Sequence, residues 1–588
     1  MKPFLLSLAV LMACATAAAA QAPQQGAPPG PGGGGVEGGV RGGRQGGVAR
    51  DQQAAPTGTA VIRGRILTVD TGTPIRRAQV RATSGGGRGR LTTTDAQGRF
   101  EFRDLPAGRW DLAASKAGFV TLRYGQRRPF EAGRPIELAD KQVIDRADFS
   151  LPRGAAITGH VFDEFGDAVA GARVQVMRYQ MVQGIRRLTP AGGGDQSDDT
   201  GAFRVFGLMP GDYYVSATVR ALPVDDPADA TSYAPTYFPG TGSVTEAQKV
   251  TVSLGQEQGN VSFALLPVRT VRVSGTVIGS DGGALSGGML ILSPSDQAGG
   301  GLGGPFAGGG QSRVAGDGSF TIPNVAPGSY TLTATSGGPG GGGRFGGGGA
   351  GPVPDVELAT VPLSVGNEDI TGITLVTGKG ATVSGAIVAA QGAGTKIPTN
   401  GIQVTTQAMQ PQPAFARPAR ADADGTFVLS NLFGLRVIRV NGLPQNWMLK
   451  AVMVGGVDVS DTPIDFKSTQ DFKDAQIILT DKITEVNGKV ATATADAVLD
   501  YTVVIFPDDE TKWVGPSRYI RSARPDQQGM FKIRSLPANA RYLAVAVDYL
   551  EEGEANDPDF LTEMKAKAST LSLGDGESKA VDLKLITR

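Results

Sequence analysis

The chain has 588 residues but one cysteine, one histidine and three tryptophans, and its 56 basic residues are balanced by 56 acidic ones. Each scarcity removes a class of function. A zinc centre needs three or four His, Cys or carboxylate ligands at recognisable spacing, and neither H-E-x-x-H nor C-x-x-C occurs. A balanced charge excludes a dedicated nucleic-acid or anionic-membrane binder, which needs a basic excess. No G-x-S-x-G elbow and no G-x-x-x-x-G-K-[ST] phosphate loop is present. Apolar runs are short as well. Beyond the N-terminus none approaches the ~18 residues that cross a bilayer, so no transmembrane helix is expected in the mature chain.

The N-terminus itself reads as an export signal, residues 1–20. Lys2 supplies the positive end, Phe4 to Met12 the apolar run, and Ala17 to Ala20 the small residues before Gln21. Cys14 lies inside this signal and admits two readings. Leu11-Met12-Ala13-Cys14 resembles a lipobox, which would leave a lipid anchor on Cys14. Cleavage near Ala20 would discard it, and the alanine run and the poor fit of Met12 favour that outcome. A mature chain without cysteine has neither disulfide nor thiolate chemistry. Residues 21–57 are rich in Gly, Pro and Gln and bury almost nothing, which is the composition of a flexible linker. Export places the protein in the periplasm, at the cell surface or outside the cell.

What the sequence does have is glycine, 86 residues, and an internal repeat. A G-x-V/I pattern opens with Gly64, Gly159, Gly275, Gly385 and Gly488. Between 31 and 40 residues later a polar turn, Gly, one residue and Phe follow, as Asp95–Phe100, Asp198–Phe203, Ala315–Phe320, Asp422–Phe427 and Asp526–Phe531. Aspartate bonds its own turn backbone and glycine accepts positive φ. Period-two apolar alternation follows, clearest in Phe100, Phe102, Leu105, Trp110 and Leu112. The fourth and fifth copies decay after Leu432 and Leu536. Copies close with further alternating runs such as Val361-x-Leu363-x-Val365. Alternation means one wet and one buried face, as in antiparallel sheets. Only Asp559 to Ala568 offers a helical signal.

The expected fold is all-β: about five tandem seven-stranded antiparallel β-sandwiches, arranged as beads on a string. The expected boundaries are 58–152, 153–268, 269–378 with Gly-rich loops, 379–482 and 483–588. The run from Gly64 through Pro74, Ala78-x-Val80, Thr94-Asp95, Gly98, Phe100 and Leu105 to Trp110 resembles the carboxypeptidase regulatory-like domain. That resemblance implies a prealbumin-like sandwich, often grouped with carbohydrate-binding-like folds, in an exported bacterial repeat protein. The family accompanies metallocarboxypeptidases and does not itself confer peptidase activity. Tyr233–Thr241 and Asp557–Leu561 also resemble segments common in such exported proteins.

Candidate sites are few, and no catalytic, cofactor or metal residues are expected. His160 fills the x of G-x-V, where other copies carry Arg65, Thr276, Ala386 and Lys489, so it reads as a solvent-facing strand position. Asp198-Asp199, Asp422-x-Asp424 and Asp508-Asp509-Glu510 are calcium candidates, but the first two coincide with the repeat's turn, and none continues into an EF-hand loop. The G-x-G-x-x-G matches within 299–310 and 337–351 are low-complexity loops, without nucleotide signal. Tyr233, Tyr237, Phe238, Trp447 and Trp513 are the candidate ligand contacts, since exposed aromatic faces stack on sugars. The expected function is a non-catalytic scaffold or adhesion-type protein at the envelope, binding polysaccharide or proteins. A carbohydrate-binding protein is the alternative. An outer-membrane receptor is disfavoured, since the repeat runs almost to Arg588 and leaves no room for a barrel.

Overall fold

The computed structural model describes residues 58–588, except 85–88, 183, 220–230, 296–309, 337–355, 394–396, 410–415, 469 and 516. The export signal, Cys14, the linker and most of both glycine-rich insertions therefore lie outside the described residues. The fold is all-β, with several two-sheet units in tandem.

Both repeat patterns meet in one interaction. The opening strands Ala60–Thr68, Ala155–Phe162, Val271–Ile278, Ala381–Ala389 and Glu485–Gly488 each pair antiparallel with the strand that carries the repeat's Phe. In register, Gly64 faces Phe100, Gly159 faces Phe203, Gly275 faces Phe320, Gly385 faces Phe427 and Gly488 faces Phe531. A closing strand crosses the other side, and its carbonyl presses on the glycine. A Cβ there would overlap the oxygen of Ala147, Val261, Ile373, Ala475 or Val581, well inside 3.0 Å. Only glycine admits this approach, and each Phe is buried over the gap.

The closing strand runs parallel to the opening one in every copy. The expected purely antiparallel sandwich is therefore corrected to a mixed sheet facing a second sheet. Seven strands is not the rule either: the two facing sheets of a unit together hold eight to ten described strands, because short closing strands split. Alternation does locate the cores. Ala60, Ile62 and Ile66 are buried on one face of the first opening strand, while Arg63 and Arg65 face water. Fully burying an isoleucine side chain contributes ~1.5–3 kcal/mol.

The turn glycines Gly98, Gly201, Gly318, Gly425 and Gly529 all have φ between 73° and 86°. A second repeated feature escapes the sequence pattern. After the Phe strand, a side chain reaches back to a carbonyl at the corner: Trp110 Nε1 donates to Pro106 O (3.1 Å), Tyr213 to Met209 O (2.7 Å), Tyr330 to Ala326 O (2.9 Å) and Tyr542 to Pro537 O (2.7 Å). In the fourth copy Arg436 Nε takes this place, donating to Phe433 O at 3.0 Å. The apparent decay after Leu432 and Leu536 is thus a shift of one residue either way, which keeps the corner bond.

The fifth copy adds a second apolar layer. Strands Thr502–Pro507 and Ala540–Val547 are buried on both faces. Helix Pro558–Lys565 covers the outer one, as the helical signal predicts. It is capped by Asp557 with proline at its first turn, and Phe560, Leu561 and Met564 pack beside Trp513. Unbroken apolar runs such as Val503–Phe506 carry the signal for two-sided burial.

Gly385→Ala should destabilise the fourth copy by about 3 kcal/mol or more, because backbone atoms of Ala475 cannot give way. Gly366→Ala, where nothing lies within 4 Å, should change stability by less than about 0.5 kcal/mol. Amide hydrogen exchange in Ala381–Ala389 and Glu357–Val365 measures both.

Candidate functional site

His160 is exposed on its strand, its ring stacked 6.0 Å from Phe162. The acidic calcium candidates are occupied by their own turns. Asp198 Oδ1 accepts from the amides of Thr200 and Ala202 (2.9 Å each) and the Thr200 hydroxyl (2.7 Å). Asp424 Oδ1 accepts from the amide and hydroxyl of Thr426, and Asp509 Oδ1 from those of Thr511. These bonds favour the ionised form and hold all three carboxyls below their ordinary range. Asp508 and Glu510 pair with Lys565. Among the described residues no group of three or more His, Cys, Asp or Glu is arranged to hold a metal ion. No helix among them is long and apolar enough to cross a membrane. Residues 58–588 hold one histidine, which is exposed, and no thiol, and Asp198, Asp424 and Asp509 are engaged by their own turns.

The aromatic candidates need correction. Tyr237, Trp447 and Trp513 are 3%, 6% and 5% exposed, and Trp513 Nε1 donates to Pro507 O at 2.8 Å. Their faces fill cores rather than meet solvent, because loop-to-strand corners fold them inward. Tyr233 and Phe238 are half-buried against the second copy's core. Tyr233 donates to Glu164 at 2.5 Å, and desolvation with that carboxylate raises its pKa to about 12. The structure does not bring these five residues together as one platform; they are divided among the second, fourth and fifth copies.

It does bring together residues that the sequence pattern leaves unnoticed. In the first copy, the strap 123–135 leaves strand Leu122–Arg123 and returns at Ile136–Leu138. Phe130 stands at its tip with φ 58°, an uncommon conformation for a bulky side chain. Its amide donates to Met209 Sδ of the second copy (3.4 Å), and its carbonyl accepts from Glu552 N of the fifth (2.9 Å). Arg178, on strand Arg173–Val182, lies 3.3 Å over its ring and pairs with Glu551. Tyr549 donates to Pro129 O at 2.9 Å.

Behind Phe130 sits a buried ion cluster. Arg524 of the fifth copy bonds Glu131 of the first at 3.0 Å, with side chains 2% and 1% exposed. Arg524 also donates to Ala132 O (2.6 Å) and pairs with Asp500. Glu131 accepts in addition from the amides of Arg127 and Arg128. Arg134 donates to the carbonyls of Pro525 and Asp526; burial first, then neighbouring Arg524, lowers its pKa. Outer pairs join Arg123 to Glu552 (2.8 Å), Arg128 to Asp548 (3.1 Å) and Arg127 to Asp500 (3.4 Å). The second copy's hairpin closes in too: a Cβ at Gly553 would overlap Met181 O. At the seam, Glu137, Leu138, Gln142 and Ile144 face Gln527 and Gln528 across a cavity of about 440 Å³.

The beads-on-a-string expectation is thereby corrected. Residues some 370 to 430 positions apart bond directly, and the fifth copy seats on the first and second. It is also tied to the fourth, where Arg518 grips Asp461 with 2.8 and 2.9 Å bonds. Partly exposed pairs contribute ~0–1 kcal/mol each. The buried Arg524–Glu131 pair chiefly sets position, since desolvation offsets its attraction.

Residues 61–152, within the first copy, match the model of the carboxypeptidase regulatory-like domain. No curated protein matches the chain. Among solved structures, a streptococcal ancillary pilin is similar at 12% identity, covering 54% of this chain and 98% of its own, with TM-score 0.19. The minor pilin GBS52 of Streptococcus agalactiae is 14% identical over 36% of this chain and 98% of its own, with TM-score 0.21. The Bacillus anthracis TIE protein is 10% identical over 73% of each chain, with TM-score 0.15.

Arg524→Ala leaves Glu131 buried without its cation and should weaken the junction by about 3–5 kcal/mol. Loss of exchange protection at the Glu552 amide reports it. Arg524→Met combined with Glu131→Met should recover much of the loss. Because the folded pKa values of Asp198 and Asp424 lie below the ordinary 3.8, their turns stabilise fully above that pH and lose the contribution as pH falls further. The protection factors of the Ala202 and Thr426 amides, corrected for the intrinsic pH dependence of exchange, should therefore fall below pH 3.8 and stay flat from pH 5 to 7.

Proposed function

We propose that the chain is an exported, non-catalytic scaffold whose five β-sandwich units, bounded as 58–152, 153–268, 269–378, 379–482 and 483–588, present binding surfaces at the cell envelope or outside the cell. One observation carries the reading: the side chains best suited to chemistry are spent on holding units against one another. Arg524, Glu131, Arg178 and Glu551 bridge separate repeats, and the lone histidine stands exposed on a strand. A scaffold needs fixed spacing between its surfaces, and this junction provides it without disulfides. The unpaired ends of the sandwiches carry the variable loops, where recognition is usually placed. The export signal of residues 1–20 supports the location, and envelope proteins or polysaccharides are the partners that location offers.

The carbohydrate reading rests on exposed aromatic faces. Burial of Tyr237, Trp447 and Trp513 leaves, of the five candidates, Tyr233 and Phe238.

The mature chain from Gln21, incubated with a sedimentable envelope fraction and with a panel of polysaccharides and chromogenic peptide, ester and glycoside substrates, tests the proposal. Saturable binding to the envelope fraction without turnover is the expected result. Turnover that co-purifies with the chain overturns it. Binding confined to one polysaccharide, and lost in Tyr233→Ala with Phe238→Ala, replaces it with the carbohydrate reading.

A further inference from the structure

The two sides of the junction carry opposite charge. The first and second repeats contribute Arg123, Arg127, Arg128, Arg134 and Arg178. The fifth answers with Asp500, Asp548, Glu551 and Glu552, and with the carbonyls of Pro525 and Asp526. One pair reverses the polarity, Glu131 with Arg524, and it is the most deeply buried. A face of guanidinium groups with a single inward carboxylate is a keyed recognition site. The rim attracts the partner, and the reversed pair admits one register.

We propose that this site recognises the C-terminal repeat as a ligand: in cis within one chain, and in trans from a second copy of this chain. Three features support exchange. First, the fifth repeat owns its cores. Both of its apolar clusters draw only on residues 486–586, so release does not dismantle them. Second, the seam consists mainly of ion pairs and carbonyl bonds, so parting exposes groups that water solvates. Third, Phe130 keeps its own holders when the fifth repeat parts: Arg178 over its ring and Met209 Sδ at its amide both belong to the second repeat, and only the bond from Glu552 N is lost. Docking in trans rebuilds every contact and differs from docking in cis only in effective concentration. Exchange of an identical element between copies is a low-cost route to association. The inference rests on the junction alone and stands or falls apart from the scaffold reading.

Two full-length variants test it. Arg123→Glu with Arg128→Glu reverses the rim of the strap. Asp548→Arg with Glu552→Arg reverses the rim of the fifth repeat. Each variant alone sets like charges against each other in cis, so each should run as a monomer of increased Stokes radius. Mixed 1:1, both docking surfaces become complementary in trans, and light scattering should show a species of twice the monomer mass. That species should dissociate as salt rises toward 1 M, where the Debye length is ~3 Å. A single chain carrying all four substitutions should close in cis with the wild-type radius, which confirms that the substitutions leave the fold intact. A mixture that stays monomeric, single variants that keep the wild-type radius, or a four-fold variant that stays expanded overturns the proposal.

Discussion

The structure depends on a glycine that cannot be anything else. At Gly64, Gly159, Gly275, Gly385 and Gly488 three strands converge: the opening strand, the Phe strand registered opposite, and the parallel closing strand whose carbonyl occupies the space of a missing Cβ. The closing strand thereby stitches the end of each repeat to its beginning. The Phe ring seals the hole that the glycine leaves, so a backbone concession becomes a packed core. Two motifs some 35 residues apart are one contact seen from either side.

Around that contact the repeats diverge freely. The corner bond tolerates Trp110, Tyr213, Tyr330, Arg436 or Tyr542, because the geometry asks only for a donor that reaches back to a carbonyl. Arg436 keeps the bond at the expense of a buried cation, and that burial lowers its pKa. The fifth repeat diverges furthest, with a helix laid over the outside of its sheet.

The junction among the first, second and fifth repeats turns a linear array into a fixed one. Its energetics are those of specificity more than of strength. Exposed pairs on the rim contribute little individually, while the buried Arg524–Glu131 pair penalises every wrong register by leaving a charge unsolvated. The proposed scaffold, whose value lies in where its surfaces stand, has use for such a device.

By itself the sequence determined the class of fold and the five glycine–phenylalanine units, because these rest on local rules, period-two burial and positive φ at turn glycines, and it placed a short helical signal at Asp559 to Ala568. It also determined that His160 faces water, since Arg, Thr, Ala and Lys share its place in the repeat. Direction of the closing strand was not legible, because alternation reads the same in parallel and antiparallel pairs. Burial of Tyr237, Trp447 and Trp513 was hidden for a related reason: an aromatic at a corner has the same neighbours in sequence whether it turns inward or outward. The junction was decided by tertiary structure alone. Arg127-Arg128 and Glu551-Glu552 are visible as charged clusters of opposite sign, yet some 420 residues separate them. Only the folded path of the intervening repeats brings one against the other.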